Sequence, residues 1–298
     1  MVPLPTTGKL ILSAGLLLVG SDFATILARE WVGSVPVWLA VARPVVLGLA
    51  ALVLWRWGKL RVFAGLALVL LVIVLAQFAV GAAGIRHALQ GLTAMNGSLF
   101  DVISLGIAQK ALIAVPVAAV LLVVCRGPAN AFFGVGRLSA PVGRMALLRL
   151  GGDGLLWHVL APVAALLIAL GTFAGVLATV FDGGSAPQMQ YLLPMLPAIL
   201  LLAALNAFLE GVIYRNAICG PLRGVLPTGA LAFFAGVFFG IAHYYGAPSG
   251  VAGVMLASAL GWFLCRAMIE TRGFLLPWGI HFVQDIVIFG MAAVLVLP

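Results

Sequence analysis

The sequence predicts an all-α fold, a polytopic membrane helical bundle, from its composition and from the length of its apolar runs. Hydrophobic residues make up 64% of the 298 residues and charged residues only 8%. The apolar runs are repeatedly long enough to cross a hydrocarbon core of roughly 30 Å. Backbone polar groups must be satisfied internally in lipid, and these runs are too long for barrel strands, so we expect every span to be a helix.

Hydropathy and the positions of glycine and proline predict about nine transmembrane helices. They cover residues 9–27, 36–56, 62–83, 103–125, 158–181, 191–214, 230–246, 250–269 and 275–297. No short apolar segment with a small-residue cleavage site precedes the first span. We therefore expect the N-terminus to be retained and the first helix to act as the insertion signal.

The longest segment between spans divides the chain into three parts. These are an N-terminal four-helix membrane region at residues 1–125, a cytoplasmic connector at 126–157 and a C-terminal core at 158–298. The connector carries four arginines among apolar residues: Arg126, Arg137, Arg144 and Arg149. It fits an amphipathic segment lying on anionic lipid or a solvated connector, and we favour the solvated connector.

The net charge of +8 is distributed unevenly across the predicted spans. Most basic residues fall on one side: Lys9, Arg56, Lys59, Arg61, Arg126, Arg137, Arg144, Arg149, Arg215, Arg223, Arg266 and Arg272. Only Arg29 and Arg86 fall on the other. By the positive-inside rule we expect a cytoplasmic N-terminus and an outward C-terminus. The Ala/Gly/Leu-rich composition favours a bacterial source and therefore the inner membrane. The charge thus reports orientation, and we expect no nucleic-acid partner.

Charged residues inside the N-terminal spans have a structural interpretation. Asp22 and Arg43 fall in the outer thirds of neighbouring spans, so we expect a buried ion pair between them. Lys110 stands beside Gln109 in the fourth span without an obvious partner. It suits a cavity lining, a lipid phosphate contact or an outward-snorkelling side chain, and we assign it no role.

The C-terminal part differs because its polar residues come in spaced sets on three helices. These are Asn206 and Glu210, Phe239 and His243, and His281 and Asp285. Residues four apart share one face of a helix, so the three faces can converge on one site. A single intramembrane histidine is as often a core residue bonded to a carbonyl, but three such helices in series favour a functional site.

These residues resemble the motifs of the CPBP (CAAX protease and bacteriocin-processing) family of intramembrane proteases, which has Glu-Glu-x-x-x-Arg, Phe-x-x-x-His and His-x-x-x-Asn/Asp in that order. Here the motifs read "EGVIYR", "FGIAH" and "HFVQD". Glu210 and Arg215 match the first motif. Phe239 and His243 match the second, and His281 and Asp285 match the third. Gly211 replaces the second glutamate of the first motif.

The resemblance implies a membrane-embedded peptidase of the CAAX protease-like type. Glu210 would take a proton from water and return it to the leaving amine, and His243 would position or deprotonate that water. His281 and Asp285 would orient the site or stabilise the oxyanion. Arg215, with Asn206 and Phe239, would support these groups.

Metal dependence stays open at the sequence level. His243, His281, Glu210 and Asp285 are candidate ligands for a catalytic zinc, which needs three protein ligands and one open position. No pair of histidines lies at i and i+4 on one helix, and we favour catalysis without an obligatory metal. The expected partners are the lipid bilayer and a membrane-protein, lipidated or leader-peptide substrate.

Two other functions fit the sequence less well. A catalytically silent CPBP relative would act as a scaffold, immunity or partner-binding protein, and Gly211 favours it. A transporter would use the buried charges as a proton pathway, but no inverted repeat is evident. A peptidase requires His243 to approach Glu210 although it lies roughly 20 Å along its span. We therefore expect an irregular, dipping segment around Pro221 and Pro227 before that span.

Overall fold

The computed structural model describes residues 5–82, 85, 87–90, 99–152, 154–180, 192–246 and 248–295. Its longer helices are α1 Thr6–Gly20, α2 Phe23–Val32, α3 Val37–Arg56, α4 Arg61–Gly81, α5 Leu99–Val124, α6 Trp157–Val180, α7 Leu192–Glu210, α8 Thr228–Ile241, α9 Gly250–Thr271 and α10 Leu275–Leu295. Arg86 and Pro298, on which part of the topology prediction rests, lie outside the described residues. The predicted all-α class is confirmed.

The length and composition of the helices confirm an integral membrane protein. The predicted number of nine spans is approximate. In the described part, seven helices are long and apolar enough to span: α3, Gly58–Gly81, α5, α6, Leu192–Cys219, α9 and α10. The pair α1 and α2 is bent by 51° and gives an eighth span if counted as one. The segment predicted as the seventh span is α8, which has only 14 residues, so its length alone does not cross the membrane.

The bend between α1 and α2 is held by Arg43. Its Nη2 donates to the carbonyls of Gly20 at 3.1 Å and Ser21 at 2.8 Å. Its Nε donates to the carbonyl of Val19 at 3.2 Å. The same Nη2 lies 3.3 Å from Oδ1 of Asp22, so the expected ion pair is present. Arg43 thus satisfies carbonyls that a helix end leaves without intrahelical partners.

The segment between α5 and α6 combines exposed arginines with buried apolar residues, and its assignment as a solvated connector stays a prediction. Its Phe132, Val142 and Met145 are buried. Glu270 of α9 accepts hydrogen bonds through Oε2 from the Gly143 amide at 2.8 Å and from Trp157 Nε1 at 2.9 Å. A buried carboxylate can replace its hydration with such donors, so the segment is fixed to α9 through Glu270.

The C-terminal core brings its helices close together through glycines. A Cβ on Gly236 of α8 would lie 2.7 Å from the Ser258 carbonyl oxygen of α9. A Cβ on Gly261 would lie 2.9 Å from Phe239 Cδ1. Small residues permit this approach in membrane helices. Residues 220–225 form turns before α8, so the chain is irregular around Pro221, as expected.

Candidate active site

A π-helical turn positions the first motif. Helix α7 ends at Glu210 and continues as the π turn Gly211–Asn216. In a regular α-helix, residues five apart lie about 140° apart around the axis, so Glu210 and Arg215 would diverge. Here Glu210 Oε2 lies 3.6 Å from His281 Nε2, and Arg215 Nη1 lies 3.3 Å from His281 Nδ1. The two residues thus meet at opposite edges of one imidazole, and π turns often mark functional sites.

The four predicted catalytic residues lie together. His243 Nε2 is 4.0 Å from Glu210 Oε2, and His281 Nε2 is 3.6 Å from Asp285 Oδ1. Glu210, His281 and Asp285 are buried, whereas the His243 side chain keeps 32% of its surface exposed. Three of the four side chains are therefore buried, and His243 is the one with an exposed part.

The two histidines face Glu210 with different ring nitrogens available. His243 Nδ1 lies 2.8 Å from the carbonyl oxygen of Phe239, which can only accept, so Nδ1 is the donor and the neutral ring leaves Nε2 as an acceptor. His281 Nδ1 faces Arg215 Nη1, which can only donate, so Nδ1 accepts and Nε2 carries the hydrogen. An acceptor nitrogen and a donor N–H thus lie on either side of the same carboxylate.

The other oxygen of Glu210 is bound by Lys110 of α5. Lys110 Nζ donates to Glu210 Oε1 at 2.5 Å and to Asn206 Oδ1 at 2.6 Å. The Asn206 amide in turn donates from Nδ2 to Asp285 Oδ2 at 3.0 Å. Glu210 Oε2 is buried without a hydrogen-bond partner among the described protein groups. One oxygen is thus anchored and the other is turned toward the histidines.

The residues predicted as supporting also contact the cluster. Arg215 is fully buried and donates from Nη2 to the Ala207 carbonyl at 3.2 Å. The Phe239 ring lies 4.3 Å from the His243 ring and 5.8 Å from the His281 ring, between centroids. Arg215 and Phe239 therefore fix the orientation of both imidazoles from outside the cluster.

Sequence reasoning missed Lys110. We assigned it no role because no partner is visible near it in the sequence, yet its ammonium lies against Glu210 and Asn206. Its two partners are 96 and 100 residues away along the chain. The signal that pointed to it was the cost of an ionisable side chain inside a span, which usually requires a partner.

The space beside Gly211 is already filled. A Cβ at this position would lie 2.5 Å from Phe274 Cζ and 2.7 Å from Arg215 Nη2. The side chain of the family's second glutamate therefore has no room here, because the Phe274 ring and the Arg215 guanidinium occupy that place.

The candidate zinc ligands His243, His281, Glu210 and Asp285 lie side by side in the structure. Within the described residues, no group of three or more His, Cys, Asp or Glu side chains is arranged to hold a metal ion. The nitrogens of His243 and His281 stand 4.0 Å and 3.6 Å from Glu210 Oε2. The Lys110 ammonium against Glu210 also opposes a divalent cation by charge repulsion.

Comparison with known proteins supports the motif assignment. Residues 192–287 match the family model described as type II CAAX prenyl endopeptidase Rce1-like. No curated protein and no solved structure shows significant similarity to the chain. The matched range contains all three motifs and leaves out Lys110. The resemblance to the CPBP family is therefore confirmed for residues 192–287, which are similar to type II CAAX prenyl endopeptidases and which we call the Rce1-like segment.

Proposed function

We propose that the protein is an intramembrane endopeptidase that hydrolyses a peptide bond of a membrane-associated substrate with water activated by Glu210. One observation carries this proposal. Glu210 Oε2 is buried, accepts no hydrogen bond from the part of the protein that the structure describes, and is flanked by two imidazoles. A buried acceptor without a partner is costly, so this oxygen is suited to bind the attacking water.

The geometry accommodates a water molecule with both hydrogens engaged. Glu210 Oε2 and His243 Nε2 are 4.0 Å apart, and both are acceptors. Hydrogen bonds from one water are each about 2.8 Å long, so one water can donate to both atoms at that separation. Its oxygen lone pair then stays free to attack a carbonyl carbon. One of the two acceptors takes the proton as the oxygen–carbon bond forms.

His281 is proposed to stabilise the carbonyl oxygen. Its Nε2–H points into the cluster, because Arg215 occupies Nδ1. A donor fixed before the reaction stabilises negative charge as it develops on the substrate oxygen. Asp285 lies 3.6 Å from the same Nε2 and is tied to Asn206, so it is placed to hold the ring in this orientation.

The second half of the reaction returns the proton. The tetrahedral intermediate collapses, the carbon–nitrogen bond breaks, and the proton taken from water passes to the leaving amine. The products are a carboxylic acid and an amine, so no redox partner is needed. Chemistry of this kind needs no obligatory metal, and zinc held by His243, His281 and a carboxylate is the alternative.

The substrate class follows from the membrane setting. A site in spanning helices acts on a membrane protein or on a lipidated or leader peptide held at the bilayer. We propose a bacterial inner-membrane location from the Ala/Gly/Leu-rich composition, and an N-terminus in the cytoplasm from the distribution of basic residues. The alternative function is a silent relative that binds a membrane partner, which Gly211 in place of the second glutamate favours.

The test compares peptides from membranes that contain the wild-type protein or Glu210→Gln. Glutamine keeps nearly the same volume and cannot act as a base. We expect cleaved peptides only with wild type, at equal protein levels. An identical peptide set from both would remove the protease proposal and favour the scaffold.

A further inference from the structure

Lys110 belongs to the N-terminal membrane region, outside the Rce1-like segment, yet it contacts the candidate base. We propose that Lys110 is a positioning residue for the Glu210 carboxylate, so that helix α5 is part of the catalytic unit. This inference rests on the proposed function. It gives the N-terminal region a role in the reaction that the family match at residues 192–287 does not include.

Helix α5 holds Lys110 in a fixed place. Its buried residues Ile107, Ala114, Val117 and Leu121 recur at the three- and four-residue spacing of one helix face, and Lys110 lies on that face. Helix α5 packs against α7 and the π turn. The ammonium therefore reaches Glu210 from a packed surface, although the side chain is 32% exposed.

The contact fixes the rotation angle of the Glu210 carboxylate, so that one of its oxygens stays directed toward the histidines. The two oxygens of a free carboxylate are equivalent and exchange by rotation about the last side-chain bond. Lys110 binds Oε1 at 2.5 Å and leaves Oε2 toward His243 and His281. Without the ammonium, rotation would move the unpartnered oxygen out of the position required to bind water.

Lys110 also acts on the second carboxylate through Asn206. By taking the amide oxygen Oδ1, the ammonium turns the amide nitrogen toward Asp285 Oδ2. An amide with both ends engaged is fixed against a flip. The chain Glu210, Lys110, Asn206 and Asp285 thus joins helices α5, α7 and α10 around the site.

Lys110 would also neutralise Glu210 if it only stabilised the fold. Enzyme kinetics separates this structural role from a positioning role. Lys110→Met keeps an unbranched chain and removes the charge. Misplacing a reacting group by about 1 Å lowers turnover about 100-fold, so we expect kcat to fall by that order with KM unchanged, per folded protein. The matched control is Lys59→Met at the exposed lysine before α4, which should match wild type. Wild-type kcat in Lys110→Met would overturn the proposal.

A thermal unfolding cycle in detergent tests the contact without any substrate. Lys110→Met, Glu210→Gln and their double variant are compared with wild type. Paired groups couple, so the double variant should lose less Tm than the sum of the single losses. Additive losses would overturn the proposal. If Lys110→Met cannot be purified in a folded state, Lys110→Arg is the second variant, because it keeps the charge and displaces the hydrogen-bond donors. A lowered kcat in Lys110→Arg supports the inference, and a wild-type kcat overturns it.

The two proposals fail in different ways. If Glu210→Gln cleaves at the wild-type rate, Glu210 is not the base and the proposed function of this site is wrong. The unfolding cycle then still decides whether Lys110 and Glu210 interact. If Glu210→Gln is inactive and Lys110→Met is fully active, the proposed protease function stands and only the proposed role of Lys110 is wrong.

Discussion

Arg215 donates from Nη1 to Nδ1 of His281 at 3.3 Å, from a guanidinium that is fully buried. A permanent donor at Nδ1 forces the neutral imidazole to carry its hydrogen on Nε2, toward Glu210 and Asp285. The motif arginine thus contacts the candidate site through His281.

The first prediction removes this donor. Arg215→Met should lower kcat about 100-fold, because His281 is then free to place its hydrogen on Nδ1 and lose its donor toward the substrate oxygen. The measurement is cleavage of a substrate identified by the peptide comparison, per folded protein. Arg223→Met is the control, since Arg223 is exposed. Equal kcat in Arg215→Met and wild type would show that this arginine does not set the tautomer.

The second prediction concerns the missing glutamate. Gly211→Ala should destabilise the protein by about 1 to 3 kcal/mol, the usual effect of overpacking, because its Cβ would meet the Phe274 ring. Gly211→Ala combined with Phe274→Ala should be less destabilised than the sum of the two single changes. Detergent unfolding curves measure this. If Gly211→Glu is as stable as wild type and more active, the space beside Gly211 is not closed.

The sequence predicted the helices, and it predicted that the motif residues lie together, because both depend on local spacing. Apolar length defines a span, and residues four apart share a helix face. The Asp22–Arg43 ion pair could also be predicted from the sequence, because the two residues lie in neighbouring predicted spans. Local pattern therefore predicted which residues gather in the C-terminal core.

What the sequence did not reveal depends on contacts between distant segments. Lys110 meets Asn206 and Glu210 across about a third of the chain, and no periodicity encodes that meeting. The Phe274 ring beside Gly211 and the Glu270 contacts to Gly143 and Trp157 are likewise set by packing. The π turn that aligns Glu210 with Arg215 has no sequence signature that we recognised.

The third prediction concerns metal. Purified protein treated with a membrane-permeant chelator should keep most of its peptidase activity and contain no stoichiometric zinc, because Lys110 already occupies one oxygen of Glu210. Metal analysis and cleavage rates before and after treatment measure this. Loss of activity that only zinc restores would make His243, His281 and a carboxylate metal ligands.

The fourth prediction is topological. Reporters placed near Arg61, Arg144, Arg223 and Arg272 should report the cytoplasm, and one after Pro298 should report the outer side. The short helix α8 makes the result informative. If α8 does not cross the membrane, the C-terminus lies on the opposite side from the one predicted. A cytoplasmic signal from the C-terminal reporter would contradict the predicted orientation.

The last prediction tests whether the histidines of the candidate site, unlike a histidine elsewhere in the chain, are needed for cleavage. His243→Ala should lower kcat by about 100-fold to 10,000-fold, because it removes the acceptor that shares the attacking water with Glu210. His158→Ala, at an exposed histidine near the start of α6, should leave cleavage unchanged. The 32% exposure of the His243 side chain predicts a small effect on stability, since truncating a half-buried ring leaves little cavity.

His281→Ala should lower kcat and destabilise the fold together, because that ring is buried and accepts the hydrogen bond from Arg215. Its loss leaves a buried guanidinium nitrogen without an acceptor, which costs about 1 to 3 kcal/mol or more for a charged group. Activity and unfolding measured on the same preparations therefore give each histidine its own signature. If His243→Ala cleaves at the wild-type rate while His281→Ala is silent and folded, the water is activated by Glu210 alone, and His243 only lines the access to the site.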